Sequence, residues 1–396
     1  MNRRISLKSV LLIVLGVVLV TFLLTATYFQ LRIAGDLREI NEKNAYFSKL
    51  YTVDQLVRDH YVGDIDAEEL MDGIITGYIY GTGDKYAAYL NRDVYAESVK
   101  SSSGQFEGIG INIMYMPESG YIKITSPMQN SPAEKAGILA GDIIIEVDGE
   151  DVAQLGYYSA VAKLTDVAGT SAHFTVLRGE QTIPFSITRE SFEKLSVFSR
   201  VVGDNIGYIQ IEAFNETTYR EFELAIDELT GKGVRGLIFD VRNNPGGDVN
   251  TLCNMLDLLL PEGPIMHMYD HDGNEELPAI SSDASEIDLP MAVLVNGDSA
   301  SASELFAAAL RDYDKAKLVG TKTYGKATMQ SVIPLSDGSA VSISVSAIKP
   351  PYGDSYEGIG ITPDFVVDLP DEVKQNYAVM TDEQDAQLQR ALELFS

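Results

Sequence analysis

The chain has 396 residues, with 30 Lys and Arg against 58 Asp and Glu, a formal net charge of −28. That length exceeds one comfortable core, so two or more domains are expected. The acidity argues against nucleic acid and anionic headgroups as partners of the soluble part. A single cysteine, Cys253, excludes an intrachain disulfide and any cysteine-based zinc site.

At the N-terminus Arg3, Arg4 and Lys8 precede a nearly unbroken apolar run from Val10 to Phe29. About 20 apolar residues are enough to cross a bilayer as a helix. The positive charges stay on the cytoplasmic side, which predicts a single-pass cell-membrane protein with everything after Arg32 outside. A cleaved signal peptide is the rival, but its apolar region is normally shorter and ends in an Ala-x-Ala-like site, which Leu24-Thr-Ala-Thr27 matches poorly.

From Asp36 to about Arg92, Leu37, Ile40, Phe47, Leu50, Leu56 and Val57 recur at helix-like intervals. A second helical run, Leu70 to Ile79, follows an acidic start at Asp64–Glu69. Packing onto the same chain is the default use of such amphipathic helices.

Between Gly104 and about Arg189, short β-rich runs divided by Gly and Pro take over: Ile122–Thr125, Ile143–Val147, Phe174–Leu177 and Phe185–Thr188. Two features of this stretch resemble a PDZ domain. Gly108-Ile109-Gly110-Ile111 is similar to the loop whose backbone N–H groups hold a peptide's terminal carboxylate. Ser131-Pro-Ala-Glu-Lys-Ala-Gly-Ile-Leu-Ala-Gly-Asp142, running into Val147-Asp-Gly149, resembles a PDZ core signature. Such a domain binds an extended peptide as an added strand and captures its C-terminal carboxylate.

The remainder, from near Phe192, is α/β in pattern. Ile206–Ile211 reads as a strand, Thr218–Leu229 as a helix and Gly236–Val241 as a fully buried strand. Arg242-Asn-Asn-Pro-Gly-Gly247 is a turn leading to a helix around Leu252–Leu260. A strand-like run, Met291–Val295, ends in Asp298-Ser-Ala-Ser-Ala-Ser-Glu304, and the helix-forming Leu305-Phe-Ala-Ala-Ala-Leu310 follows. Small residues here let a strand pass into a helix whose free N–H groups receive negative charge. On this stretch alone, the better reading is that Ser303 or Ser301 merely caps that helix. Further on, Thr323-Tyr-Gly-Lys-Ala-Thr-Met-Gln330 places Lys326 in a tight turn. Ser331–Val341 and Ser342–Ser346 then form a hairpin, and Gly358-Ile-Gly-Ile-Thr-Pro-Asp364 reads as a structural closing segment.

The serine and lysine motifs together resemble the C-terminal processing (tail-specific) serine peptidases, from about Asp36 to near the C-terminus. The resemblance implies an α+β multidomain fold: transmembrane helix (1–32), helical lead-in (33–100), PDZ domain (101–190) and Ser-Lys peptidase core (191–396). It implies Ser301 as nucleophile, Lys326 as general base and Gln330 as the residue that orients Lys326. It further implies an oxyanion hole from the N–H groups of Ala302 and of Gly246 or Gly247. Protein substrates are expected to bind through their C-terminal tails, with no cofactor and no metal. In several family members the helical lead-in mediates dimerisation, so a homodimer is an expectation of the same resemblance. Two departures stand out: Asp166 where relatives often have Arg, and Ala327 where they usually have Gly.

The residue chemistry agrees. The four histidines, His60, His173, His267 and His271, fall outside any motif expected of a Ser-His-Asp triad. His267 and His271, spaced by four among acidic residues, read as an exposed loop rather than a metal site. Lysine replaces histidine as a base only when neutral. Burial lowers its reference pKa of about 10.4, and a neutral Gln330 orients the amine without holding the proton on. The alternative from another class is a non-catalytic PDZ adaptor on a degenerate peptidase fold, which predicts a missing Ser, Lys or Gln; all three are present.

Overall fold

A computed structural model describes residues 16, 20–22, 24, 25, 27, 28 and 47–396, except 166, 167, 277–279, 284, 285, 376, 378 and 379. Most of the apolar run 10–29, as well as Leu37, Ile40 and Asp166, lies outside the described residues. Among those described, no helix is long and apolar enough to cross a membrane. The chain divides into two units, Met1–Ile74 and Ile75–Ser396.

In the first unit residues 47–60 are helical and leave Phe47, Leu50, Tyr51, Val53, Leu56 and Val57 exposed. The helix Ala67–Tyr80 starts where Asp66 Oδ1 accepts the N–H groups of Glu68 and Glu69 at 2.8 and 3.0 Å. These bonds satisfy donors that a helix start leaves unpaired.

The second unit holds a β-rich body and an α/β body. In the first, a six-stranded antiparallel sheet includes Ile111–Met116, Tyr121–Pro127, Ile143–Val147, Ser171–Arg178 and Gln181–Thr188. Ile122, Ile124, Ile144, Val147, Phe174 and Val176 supply its core. Gln105–Gly108 and Glu190–Glu193 pair with each other at its base.

The α/β body is built on a six-stranded sheet ordered Val197–Val202, Ile206–Ile211, Leu237–Asp240, Met291–Val295, Ala316–Gly320 and Phe365–Val366. The first pair is antiparallel and the rest are parallel. Its central strands are apolar throughout because both faces are covered. Leu237, Phe239, Val293 and Val295 enter the core shared with the helices Thr218–Gly231, Val249–Asp257 and Ala302–Asp312. Ile238, Ala292 and Leu294 enter the opposite core, with Leu388, Ala391 and Phe395 of the C-terminal region. Cys253 is buried in the first core, where burial pushes its thiol up to about 12.

A second sheet carries the predicted hairpin, observed as Thr328–Pro334 against Ala340–Lys349. Two of its strands differ from expectation. Ala88–Leu90, inside the region read as helical, pairs with Ala340–Ser342. Gly263–Tyr269, within the stretch read as a loop, pairs through His267–Tyr269 with Ala347–Lys349. Ala88–Leu90 is short and Gly263–Tyr269 lacks clean alternation, so a neighbouring strand, rather than local pattern, makes them β.

Candidate active site

Three adjacent parallel strands end side by side, so the loops after Asp240, Val295 and Gly320 converge beyond their carboxyl ends. In open α/β sheets this is where ligands bind. The loop after Val295 brings Ser301 to the N-cap of the helix Ala302–Asp312 in a strained backbone conformation, φ 55° and ψ −114°. Such strain persists only where the surroundings over-determine it, and it concentrates at functional sites.

The three serines of this loop differ in what their hydroxyls do. Ser299 Oγ donates to the Val241 carbonyl at 2.7 Å and Ser303 Oγ to the Asn244 carbonyl at 2.9 Å, and both side chains are fully buried. Ser301 is half-buried, and its hydroxyl donates to no group among the described residues.

Glu304 organises the site. Completely buried, it spends its carboxylate on four donors. Oε1 accepts from Thr323 Oγ1 at 2.5 Å and Gly325 N at 2.7 Å, and Oε2 from Lys326 N at 2.8 Å and Ser301 N at 3.0 Å. Burial pushes its carboxyl up from the ordinary value, against these four donors, which hold it down. The Gly358–Ile361 segment backs the same turn, with Gly358 N donating to the Gly325 carbonyl and Ile361 N to Thr323 Oγ1.

Lys326 is partly buried. Burial lowers its pKa from the ordinary lysine value, while Glu357, Asp84 and Glu304 pull it the other way. Its ammonium lies 4.9 Å from the centre of the Tyr86 ring. Among the described residues it forms no hydrogen bond with Ser301 Oγ or Gln330. The Gln330 amide instead donates to Thr328 Oγ1 at 3.0 Å and Ser344 Oγ at 3.3 Å.

The glycine loop packs directly on the serine. A Cβ on Gly246 would lie 2.9 Å from Ala302 N and 3.0 Å from Ser301 Cβ, and its φ of 103° already favours glycine. Asn244 sets this loop, accepting Gly246 N on Oδ1 at 2.9 Å and donating from Nδ2 to the Ile211 carbonyl at 2.8 Å. Gly246 N is therefore occupied, whereas Gly247 N is engaged by no bond among the described residues. Arg242, just before the loop, is buried between the Asp240 and Asp385 carboxylates.

In the β-rich body, Gly108, Ile109, Gly110 and Ile111 line a groove of about 400 Å³ together with Val161 and Leu164 of the helix Tyr157–Leu164. The Ile109 and Gly110 carbonyls accept Ala133 N and Met128 N. That fixes the loop and leaves the N–H groups of Ile109 and Gly110 uncommitted among the described backbone bonds. His267 Nδ1 lies 2.6 Å from Glu275 Oε1, and His271 sits beside Asp272, so neither belongs to the serine–lysine site. Among the described residues no three His, Cys, Asp or Glu form a metal-binding group.

Sequence reasoning missed four contributors: Glu304 as the link, Asn244, Glu357 and Tyr86. Only Glu304 carried a signal, since Ser301-x-x-Glu304 is a capping-box pattern.

Comparison with known proteins places the chain in a family. The family model described as peptidase family S41 matches residues 205–367, that of the PDZ domain residues 98–177, and that of the activating protease CtpB N-terminal domain residues 26–94. A carboxy-terminal-processing protease of Bartonella bacilliformis is 33% identical over 83% of this chain and 77% of its own length. The carboxy-terminal processing protease CtpA of Bacillus subtilis is 34% identical over 91% of this chain and 78% of its own length. The crystal structure of a Bacteroides fragilis chain assigned to the S41 proteases shares the fold. Its TM-score is 0.53 at 15% identity, over 85% of this chain and 98% of its own. The chain thus belongs to peptidase family S41, as a multidomain serine peptidase with a PDZ domain ahead of its α/β core.

Proposed function

We propose that this protein is a membrane-anchored, extracytoplasmic endopeptidase that cleaves protein substrates near their C-termini by a Ser-Lys mechanism. The observation that carries the reading is the single Glu304 oxygen that binds both the Ser301 and the Lys326 backbone N–H. Neutral Lys326 takes the proton from Ser301 Oγ as that oxygen attacks the scissile carbonyl. Ala302 N and Gly247 N receive the oxyanion, since Gly246 N already donates to Asn244. Lys326 returns the proton to the leaving amine, and water then hydrolyses the acyl-enzyme by the same route reversed. Gln330 accepts from the amine through Oε1 during turnover, its Nε2 being held by Thr328 and Ser344.

The PDZ groove supplies the preference for tails. The N–H groups of the Gly108–Ile111 loop bind the substrate carboxylate, and Val161 and Leu164 contact its apolar side chains. The basic N-terminus followed by the apolar run 10–29 anchors the chain at the cell membrane in a single pass. The exposed apolar residues of the helix 47–60 form the contact of a homodimer. Domain limits at 1–32, 33–100, 101–190 and 191–396 accompany this reading.

The deciding experiment compares Lys326→Ala and Lys326→Arg in single-turnover cleavage of peptides with free or amidated C-termini. Arginine keeps the charge but cannot act as a base, so both variants should be inactive. Wild type should prefer the free carboxylate. Substantial turnover by the arginine variant removes Lys326 as base. Binding of tails with no cleavage by wild type would favour an adaptor. Deleting residues 1–32 should release an active soluble enzyme. An untruncated protein recovered wholly in the soluble fraction with an N-terminus near Tyr28 would show a cleaved signal instead.

A further inference from the structure

The segment Asp84-Lys85-Tyr86 lies far from both catalytic motifs in sequence, yet it lines the lysine turn from the outside. The strand Ala88–Leu90 locks it to the long strand Ala340–Lys349. The Asp84 carboxylate adds two bonds to that strand, from Ser344 N at 2.9 Å and Ser344 Oγ at 3.0 Å. Ser344 Oγ in turn accepts from Gln330 Nε2. The Tyr86 hydroxyl donates to Glu357 Oε1 at 3.1 Å and to the Gly325 carbonyl, next to Lys326, at 3.3 Å. Its ring is thereby fixed in two directions, and the Lys326 ammonium sits 4.9 Å from its centre.

Every carboxylate that acts on Lys326 is already engaged elsewhere. Glu357 takes Lys85 Nζ at 2.9 Å and Ala327 N at 2.6 Å, in addition to Tyr86. Asp84 holds Ser344 and Tyr86 N, and Glu304 holds its four backbone and hydroxyl donors. No ion pair among the described residues includes Lys326. The aromatic face is therefore the group that meets its charge.

We propose that Tyr86 is a positioning residue for Lys326, whose ring holds the protonated amine in a resting place from which it must swing to reach Ser301. The proposal rests on the reading of Lys326 as the base. A cation over an aromatic face is favoured by about two- to fivefold in its protonation equilibrium, roughly half a pH unit. Removing the ring while keeping the site apolar therefore frees the neutral amine at lower pH.

The test is kcat/KM against pH for wild type, Tyr86→Phe, Tyr86→Leu and a chain with pentafluorophenylalanine at position 86. That last residue keeps the ring's size and reverses the charge of its face, so it serves even if the leucine variant folds poorly. The rising limb should keep its midpoint in Tyr86→Phe. It should fall by about half a pH unit in the leucine chain, with about two- to fivefold more activity below the midpoint, and by more than that in the pentafluorophenylalanine chain. Midpoints equal to wild type in both chains overturn the proposal, as does an equal shift in Tyr86→Phe. A second readout needs no turnover: the pH dependence of Lys326 acetylation by acetic anhydride, followed by peptide mass spectrometry in a Ser301→Ala background. If Lys326→Arg proves active, the base reading fails, but the acetylation midpoints still report whether the ring holds the ammonium.

Discussion

Ser301 and Lys326 are tied to one oxygen atom: Glu304 Oε2 accepts the N–H of Ser301 at 3.0 Å and that of Lys326 at 2.8 Å. The two residues lie on loops after neighbouring strands, so their relative position depends on a buried carboxylate rather than on chain connectivity. Glu304→Gln would replace one acceptor oxygen by an NH₂ that faces donors. Leaving buried donors unpaired costs about 1–3 kcal/mol each, so a total loss on the order of 3 kcal/mol is expected. Peptidase activity should fall with it. Urea unfolding beside peptide cleavage checks this, and a glutamine variant normal in both respects would remove Glu304 as the link.

The hydroxyls of the serine loop make a second prediction. Ser301→Ala should abolish cleavage in a folded protein. Ser299→Ala and Ser303→Ala each lose a buried bond to a backbone carbonyl, at a cost of about 1–2 kcal/mol, and should keep much of their activity. An inactive Ser303→Ala beside an active Ser301→Ala would reverse the assignment of the nucleophile.

Gly246→Ala and Gly247→Ala should fail differently. A methyl on Gly246 meets the Ala300 carbonyl oxygen at 2.8 Å and Ala302 N at 2.9 Å, at a φ that favours glycine, so it should block the oxyanion position and also cost stability. On Gly247 it would lie 2.0 Å from the Phe214 carbonyl oxygen, a contact the backbone must move to relieve. Thermal unfolding should show a loss for the first and a larger one for the second. Equal losses would mean that the backbone at Phe214 gives way as readily as that at Ala300.

Burial lowers the Lys326 pKa, so its neutral fraction at a given pH exceeds that of free lysine. Activity should therefore rise with pH along a limb whose midpoint lies below about 10.4, the ordinary lysine value. Because Glu357 opposes the shift, Glu357→Gln should move that midpoint further down. A midpoint unchanged or raised in this variant would show that the acidic neighbour does not act on the amine.

Buried Arg242 joins the strand end at Asp240 to Asp385, at the start of the helix Ala386–Leu392. Asp385→Ala leaves its charge short of a partner. Breaking such a pair costs about 3–5 kcal/mol, and the glycine loop beside Arg242 should lose order with it. Denaturant midpoints measure the stability loss. A loss below about 1 kcal/mol would mean that the remaining Asp240 and Gln387 contacts suffice for Arg242.

The elements legible in the sequence were those with a strong local cause. Ile206–Ile211 and Ile143–Val147 were read with the bounds the structure has, because short runs dense in β-branched and apolar residues between turn residues favour strands over helices. Strand, turn and helix around Ser301 were legible from small residues followed by helix formers. Residue patterns could not choose among the three serines, because all three are small and polar. Resemblance to a family singled out Ser301, and the fold adds a physical difference by engaging the hydroxyls of Ser299 and Ser303. Nor could sequence show that Asn244 occupies the Gly246 N–H and leaves that of Gly247 without a bond among the described residues. Ala88–Leu90 becomes a strand only because Ala340–Ser342 lies beside it, and this pairing brings Tyr86 to Lys326. Local chemistry determined most of the strands, turns and helices, the pairing-dependent strands Ala88–Leu90 and Gly263–Tyr269 apart. Long-range packing decided which side chains meet, since contacts across hundreds of residues leave no periodic trace in either partner.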